Sequence, residues 1–217
     1  MTSIAKTVWK LIEDDVIARR ALDKGFASMK NLSMYFIKKH KLSTTSDAVI
    51  SAIRRYKEEQ PLEKKYETAK KIIAISKGIR ITSNIVNITL RKNRKTQELV
   101  QKTFNMVDYD RGELLLIMQG EQSIKLLIND KNREKILNLF PKDSVSYVQN
   151  NLAEINIHLS DEARKTPGII SVLSTELMLH DINMVETMSC LPELLFFVDE
   201  KDVVKSYDVL FNLCNPK

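Results

Sequence analysis

Residues 152–213, LAEINIHLSDEARKTPGIISVLSTELMLHDINMVETMSCLPELLFFVDEKDVVKSYDVLFNL, carry the order of signals that decides the fold. Asn156-Ile157-His158-Leu159 alternates polar and apolar residues as a half-buried strand does. Thr166-Pro167-Gly168-Ile169 then reads as a turn running into a helix, with Pro167 suited to the first helical position. Ile170, Leu173, Leu177 and Met178 recur at helical spacing, and that pattern ends near His180-Asp181. Asn183 to Met188 reads as a second strand and Leu191 to Val198 as a third. Lys201 to Asn212 closes the unit, with Val204, Tyr207, Leu210 and Phe211 on one helical face. The order is β-α-β-β-α, one strand short of a closed two-layer sandwich.

Upstream, the same order occurs again. Ile79 to Leu90 is rich in β-branched residues and is interrupted at Ser83-Asn84. Lys95 to Met106 is an amphipathic helix with Leu99, Val100 and Phe104 inward. Asp110-Arg111-Gly112 turns into the apolar run Leu114 to Met118, and Gly120 turns again into Ser123 to Ile128, a hairpin. Asn129-Asp130 is placed to cap a helix from Lys131 to Phe140, which Pro141 stops, and Ser144 to Gln149 adds a strand. The result is β-α-β-β-α-β, an internal repeat in topology with little identity of letters.

The string TPGIISVLSTELMLHDINMVETM, in this order of elements, resembles the ACT domain and especially the ACT pair at the C-terminal end of aspartokinases. Gly168 matches the glycine before the first helix, and Asp181-Ile182-Asn183-Met184 matches the turn before the second strand. The resemblance implies tandem ferredoxin-like (βαββαβ) sandwiches that bind a small effector, often an amino acid, where two such units meet. Nothing here resembles the glycine-rich catalytic domain of those kinases, so the resemblance implies regulation without kinase activity. The first copy lacks a Pro-Gly loop and has Arg91 to Thr96 in its place.

The physics of the Ala163 to Gly168 loop points the same way. The first amides of the helix it opens have no intrahelical partner and lie at the positive end of the macrodipole, where a carboxylate is stabilised. Thr166, Gly168 and Ile169 are therefore the expected ligand contacts, and the resemblance adds Asp181 and Asn183 as receivers of an ammonium group. The plainer reading makes Thr166 the helix N-cap, Gly168 an ordinary loop glycine and Asn183 a turn residue.

The first third of the chain is helical. Ile4, Val8, Leu11 and Ile12 form one apolar stripe, and Asp14-Asp15 can cap a second helix that runs to about Leu22, with Asp23-Lys24-Gly25 as its stop. Ser28 caps a third helix with Leu32, Tyr35 and Phe36 on one side, and Ser43 to Ser46 caps a fourth with Val49, Ile50, Ile53 and Tyr56 inward. This is a helix-turn-helix arrangement. The strings ALDKGFASMKNLSMYFIKKH and AVISAIRRYKEE resemble the DNA-binding-type module that some archaeal regulators place ahead of ligand-sensing domains. Ser28, Lys30 and Asn31 would offer side chains to base edges, while Lys38, Lys39, Lys41, Arg54 and Arg55 would hold phosphates. The alternative is a small bundle whose lysines merely solvate it.

Charge supports a division of labour. Residues 1–78 hold 17 Lys+Arg against 9 Asp+Glu, whereas residues 79–217 hold 17 against 19. The basic excess therefore belongs to the helical third, as expected for a part that meets a polyanion. Gln60-Pro61 breaks the helical run, and Leu62, Tyr66, Ala69 and Ile73 then form a narrow seam, suited to a connector in a dimer interface or to packing back on its own chain.

The chain shows no GxGxxG, P-loop, HExxH or Gly-x-Ser-x-Gly pattern, and His158 and His180 carry no metal-ligand spacing. Cys190 and Cys214 read as reduced bystanders. No apolar run approaches the roughly 20 residues of a membrane span, so cytoplasm is the default location. The expected fold class is α+β: a helical, helix-turn-helix-like domain at 1–60, a linker helix at 61–78, and ACT-like domains at 79–150 and 151–217. The expected function is an amino-acid-sensing regulator, not an enzyme, needing no cofactor and no catalytic or metal site. Its expected partners are a small effector, double-stranded DNA and a second copy of itself, and it has no membrane partner. The alternative is a regulatory subunit that binds no DNA and docks on a metabolic enzyme.

Overall fold

The computed structural model describes residues 3–56 and 62–216. They fall into two compact units, Met1–Ala69 and Lys70–Lys217. The expected break at Gln60-Pro61 lies outside the described residues.

The first unit contains α1 (Ile4–Asp14), α2 (Val16–Asp23), α3 (Met29–His40) and α4 (Ser46–Arg55). A side-chain oxygen caps each start: Ser3, Asp15, Ser28 and Thr45 accept from the amides of Lys6, Ala18, Asn31 and Ala48. Asp15 serves two helices, because its own N–H also donates to the carbonyl of Ile12 at the end of α1. Gly25, at φ 72°, follows the end of α2. Val8, Ile12, Phe36, Val49, Ala52 and Ile53 form the core. The indole of Trp9 donates to the Ala52 carbonyl at 2.9 Å and pins α1 on α4.

Helix α5 (Leu62–Ala74) carries the chain from one unit into the other. Glu63 pairs with Arg20 and Lys24, and Arg20 also lies over the Tyr66 ring. Ala69 and Ile73 are fully buried within the single chain. Two of the four seam residues are thus covered by this chain itself, while Leu62 and Tyr66 are half-buried.

The second unit is one six-stranded antiparallel sheet in the order β2-β3-β1-β4-β6-β5. Its strands are β1 (Gly78–Arg91), β2 (Leu115–Gln119), β3 (Ser123–Asn129), β4 (Val145–His158), β5 (Met184–Cys190) and β6 (Glu193–Asp199), and its helices are α6 (Arg94–Thr103), α7 (Arg133–Leu137), α8 (Ile169–Leu179) and α9 (Val203–Cys214). The strands are continuous where the sequence suggested pieces. Ser83-Asn84 does not end β1, and the stretches at 144–149 and 156–159 belong to the single strand β4. Each long strand is bent instead, at Asn84 (φ 58°) and Asn151 (φ 56°), residues whose short polar side chains make the left-handed region tolerable.

These two strands pair with each other along nearly their whole length and so serve both halves of the sheet. The second half of β1 pairs with β3 on one side and with the first half of β4 on the other, while its first half, Gly78–Thr82, pairs with Glu154–His158 of β4. Beyond Asn151, β4 also pairs with β6. The strand that the last third of the chain lacks is therefore Gly78–Thr82, and the expected boundary at 150/151 falls in the middle of β4. One face of the first half-sheet packs Val86, Ile88, Leu90, Ile124 and Leu126 against Val100 of α6 and Ile136 of α7. On the second half, α9 packs on β1, β4 and β6 and against α8.

Two helix ends depart from the sequence reading. α7 has only five residues, because Asn129 turns its Oδ1 to the amide of Leu114 at 2.6 Å instead of capping, and a tightened last turn precedes Pro141. Pro167 lies outside α8, and Thr166 is not its cap.

The sheet also curls. β3 and β5 are four strands apart in the order, about 19 Å in a flat sheet, yet Lys125 of β3 forms an ion pair with Glu186 of β5. The helix-free face is therefore concave and encloses Ile85, Leu127, Leu152, Leu195 and Phe197.

Candidate functional site

At the start of α8 the chain runs through a short 3-10 turn, Asp161–Lys165, to Thr166, Pro167 and Gly168. The Thr166 hydroxyl donates back to the Glu162 carbonyl at 2.9 Å and so is turned away from the helix it was expected to cap. Gly168 takes the N-cap position at φ 95° with no side chain to accept a bond. Its carbonyl closes the first turn by accepting from Val172 at 2.9 Å. The first amides of α8 are left without a side-chain acceptor and point toward the mouth of the helix.

A cleft of about 280 Å³ opens at this point. Leu159, Ala163, Ile169 and Leu194 give it apolar walls, and Thr166, Ser171 and Ser189 give it hydroxyls; no charged side chain lines it. Its size lies at the lower end of the range for ligand pockets, which suits a small molecule. Such a cleft can take a carboxylate at the amides and a short apolar group against the walls.

Thr166, Gly168 and Ile169 thus come together as expected. Asp181 and Asn183 do not join them, because α8 has eleven residues and separates its two ends by about 16 Å. Asp181, at φ 56°, ends the helix: its N–H donates to Met178, and the Ile182 N–H donates to Leu177. This is the reciprocal pair of bonds that closes a helix C-terminus, and Ile182 and Leu177 are both buried beneath it. Asn183 is exposed beyond that turn. The resemblance placed both residues in the pocket; the helix-ending turn accounts for the glycine-like position of Asp181.

The matching helix start in the first sandwich is closed. Asn93 accepts from the Thr96 amide and the Thr96 hydroxyl accepts from the Asn93 amide, both at 2.9 Å, so α6 is capped by its own sequence. The Asn93 to Thr96 spacing carried this signal. Gly168 carried the opposite one.

Polar groups also lie within the concave face. The Asn87 amide donates to Glu186 at 3.3 Å, beside the Lys125 ion pair. Glu154, in the place on β4 that Asn87 holds on β1, has no such cation: it is 4% exposed, and its Oε2 has no hydrogen-bond partner among the described residues. Burial, reinforced by nearby Glu193, pushes its carboxyl up to about 7. The sequence reading missed Glu154, although a carboxylate among Leu152, Ala153 and Ile155 was the available signal.

In the helical unit, Ser28, Lys30, Asn31, Lys38, Lys39, Lys41, Arg54 and Arg55 are all exposed. They are not equally free. The Ser28 hydroxyl caps α3, and the Lys39 ammonium is bound to Asp15 at 3.1 Å and to the Tyr35 hydroxyl. Ser33, on the same helix, is buried and bonded to Ser46. Among the described residues, no group of three or more His, Cys, Asp or Glu side chains could hold a metal ion, and no helix is long and apolar enough to cross a membrane.

Neither a protein-family model nor a curated protein sequence matches this chain. Solved structures do. Clostridium acetobutylicum aspartate kinase matches over 64% of this chain and 35% of its own length at 20% identity, with a TM-score of 0.52. The regulatory subunit of aspartate kinase from Thermus thermophilus matches 64% of this chain and 98% of its own at 10% identity and the same TM-score of 0.52. A structure of aspartokinase alpha and beta subunits matches at 15% identity, covering 64% and 99%. This chain spans about a third of the clostridial enzyme. The fold is the one these aspartate kinase structures share with it, the α+β ACT type that the sequence resembles.

Proposed function

We propose that the protein is an amino-acid-responsive regulator: the cleft at the start of α8 binds the effector, and the helical unit passes the response on, by binding DNA. The observation that carries the first half is the uncapped N-terminus of α8 opening into a small, uncharged cleft. The likeness to aspartate kinase regulatory subunits supports a sensing role. The basic excess of residues 1–78 and the exposed Lys30, Lys38 and Lys41 support the second half. Coupling requires an effector that binds one arrangement of a homodimer better than another, and its influence is limited to that difference.

Melting in the presence of each proteinogenic amino acid tests the cleft. An effector at about a hundred times its dissociation constant adds roughly 2.7 kcal/mol to stability. Ser171→Phe should fill the exposed cleft wall and remove that gain without altering the unliganded protein. A full gain in this variant would move the site elsewhere. For DNA, Lys38→Ala should flatten the log-log salt dependence of binding by about 0.9.

A second reading has its own observation. Ile17 of α2 is 80% and Phe26 of the turn after it 71% exposed, and Val16 of α2 and Met34 of α3 are also more than half exposed. Apolar side chains on that surface fit a protein partner, such as a metabolic enzyme, better than phosphates. Absence of any DNA shift at low salt would favour it.

A further inference from the structure

A second cleft, of about 370 Å³, lies on the helix-free face of the sheet at the outer ends of β1, β4 and β6, far along the sheet from β2 and β3. Its lining sorts by charge. Lys77 and Arg80 lie on the β1 side, Glu193 on the β6 side, and Asn156 and His158 of β4 between them. The Asn156 amide donates to Glu193 at 3.3 Å. Among the described residues, Arg80 and Glu193 form no ion pair and Lys77 has only the nearby Glu162 carboxylate beside it, so opposite charges face one open space without meeting. Gly78 keeps the floor low: a Cβ added there would meet nothing within 4 Å.

Behind the cleft stands Glu154. It occupies the same face of β4 two residues before Asn156 and is in contact with that side chain, yet its Oε2 has no partner among the described residues. A carboxylate oxygen removed from water and left unpaired is costly unless something donates to it. The groups that share its face are Thr82 and Arg80 of β1, Asn156 and His158 of β4, Glu193 of β6 and Glu186 of β5, with Lys125 of β3 already engaged by Glu186. β2 contributes no charge. Arg80 pairs directly with Asn156 across the β1–β4 ladder and forms no ion pair among the described residues; it lies on the side of the cleft away from Glu193.

We propose that this cleft is a second ligand site, for a small zwitterion whose ammonium is taken by Glu193, with the Glu154 carboxyl behind it adding negative charge, and whose carboxylate is taken by Arg80 and Lys77. Arg80 and Glu193 flank β4 and are offset by two residues along it, which places their Cα atoms about 12 Å apart. Strand side chains stand roughly perpendicular to the sheet, so the two charged ends stay apart. An ω-amino acid or a dipeptide spans that gap better than an α-amino acid does. The site is independent of the α8 cleft, and neither assignment needs the other.

The test uses the full-length protein with 4-aminobutanoate and glycylglycine as zwitterionic probes and with butylamine and butyrate as singly charged controls. Amide chemical shifts should move at residues 78–80, 156–158 and 193 and stay still at 166–171. Each control should bind at least about tenfold more weakly, the loss expected for one charged hydrogen bond. Glu193→Gln and Arg80→Ala should each weaken the zwitterion by a similar factor, and Gly78→Phe should block it while leaving the melting curve in place. Binding should also strengthen as pH rises through 7, with proton release on binding, and Glu154→Gln should abolish both. Failure of both zwitterions to move these amides at millimolar concentration would overturn the proposal. Equal binding of butylamine alone, or an unchanged pH profile in Glu154→Gln, would do the same.

Discussion

A side chain at position 168 must adopt φ 95°, a region that costs an L-residue about 1–2 kcal/mol. Gly168→Ala should therefore lower stability by that amount in chemical denaturation, whether or not a ligand is present. Only a loss of effector binding beyond that would implicate the cleft, which makes Ser171→Phe the cleaner probe. Glu154 carries a larger effect. Its carboxyl rises from 4.5 to about 7 on folding, so between those values the folded protein holds a proton that the unfolded chain releases. The stability this contributes is complete below about pH 4.5 and is lost as pH climbs through 7, a fall on the order of 3 kcal/mol. Glu154→Gln should flatten that decline and gain stability at pH 8, as a denaturation series across pH would show. A variant that keeps the wild-type slope would mean that the proton sits elsewhere.

At the level of elements, the junction of α1 and α2 concentrates several jobs in Asp15. Burial works against its charge, but the Ala18 amide, the Tyr35 hydroxyl and Lys39 outweigh it and hold the carboxyl at about 2. Its stabilising contribution is therefore present at neutral pH and lost as pH falls from about 4 toward 2. Asp15→Ala should cost at least about 1 kcal/mol through the cap alone, and Asp15→Asn, which keeps the acceptor, should cost less. Caps of this kind were legible in the sequence. Ser28 and the Ser43 to Ser46 window announced their helices because a short side-chain oxygen before an apolar stripe has one common use. Asn129 shows the limit: the same signal was diverted to the amide of Leu114, an opportunity that only the hairpin fold creates. Asp181 shows another, since a residue that ends a helix and a residue that faces a ligand leave similar traces in a turn.

In the whole molecule, local pattern gave the elements in order, and what it could not give was the partnering of Gly78–Thr82. Those residues alternate like any strand, and nothing in their letters says that their neighbours are 154–158 and not their own sandwich. The loan runs one way: the first sandwich closes on the first half of β4, which follows it in the chain, whereas the second has no strand of its own left and takes Gly78–Thr82. A chain that begins at Asn84 should thus leave β4 with an open edge over Glu154–His158. Amide exchange there should quicken, and light scattering should report association through the bare strand. A truncated chain that stays monomeric and protected at those amides would show that the second sandwich closes without help. The concave apolar cluster was equally hidden, for Leu127, Leu195 and Phe197 look like ordinary strand residues until the sheet curls over them.

The pairing of Gly78 with His158 also sets a schedule on the ribosome. The first strand to emerge cannot find its outer partner until roughly 75 further residues have been made, which at about 5–20 residues per second takes several seconds. During that interval the inner half of β1 can already pair with β3, so the first sandwich can form early while Gly78–Thr82 waits with unmet amides. Synthesis rate between residues 91 and 158 then becomes a determinant of yield. Slow codons in that stretch should lengthen the exposure and favour aggregation, even though the finished chain is identical.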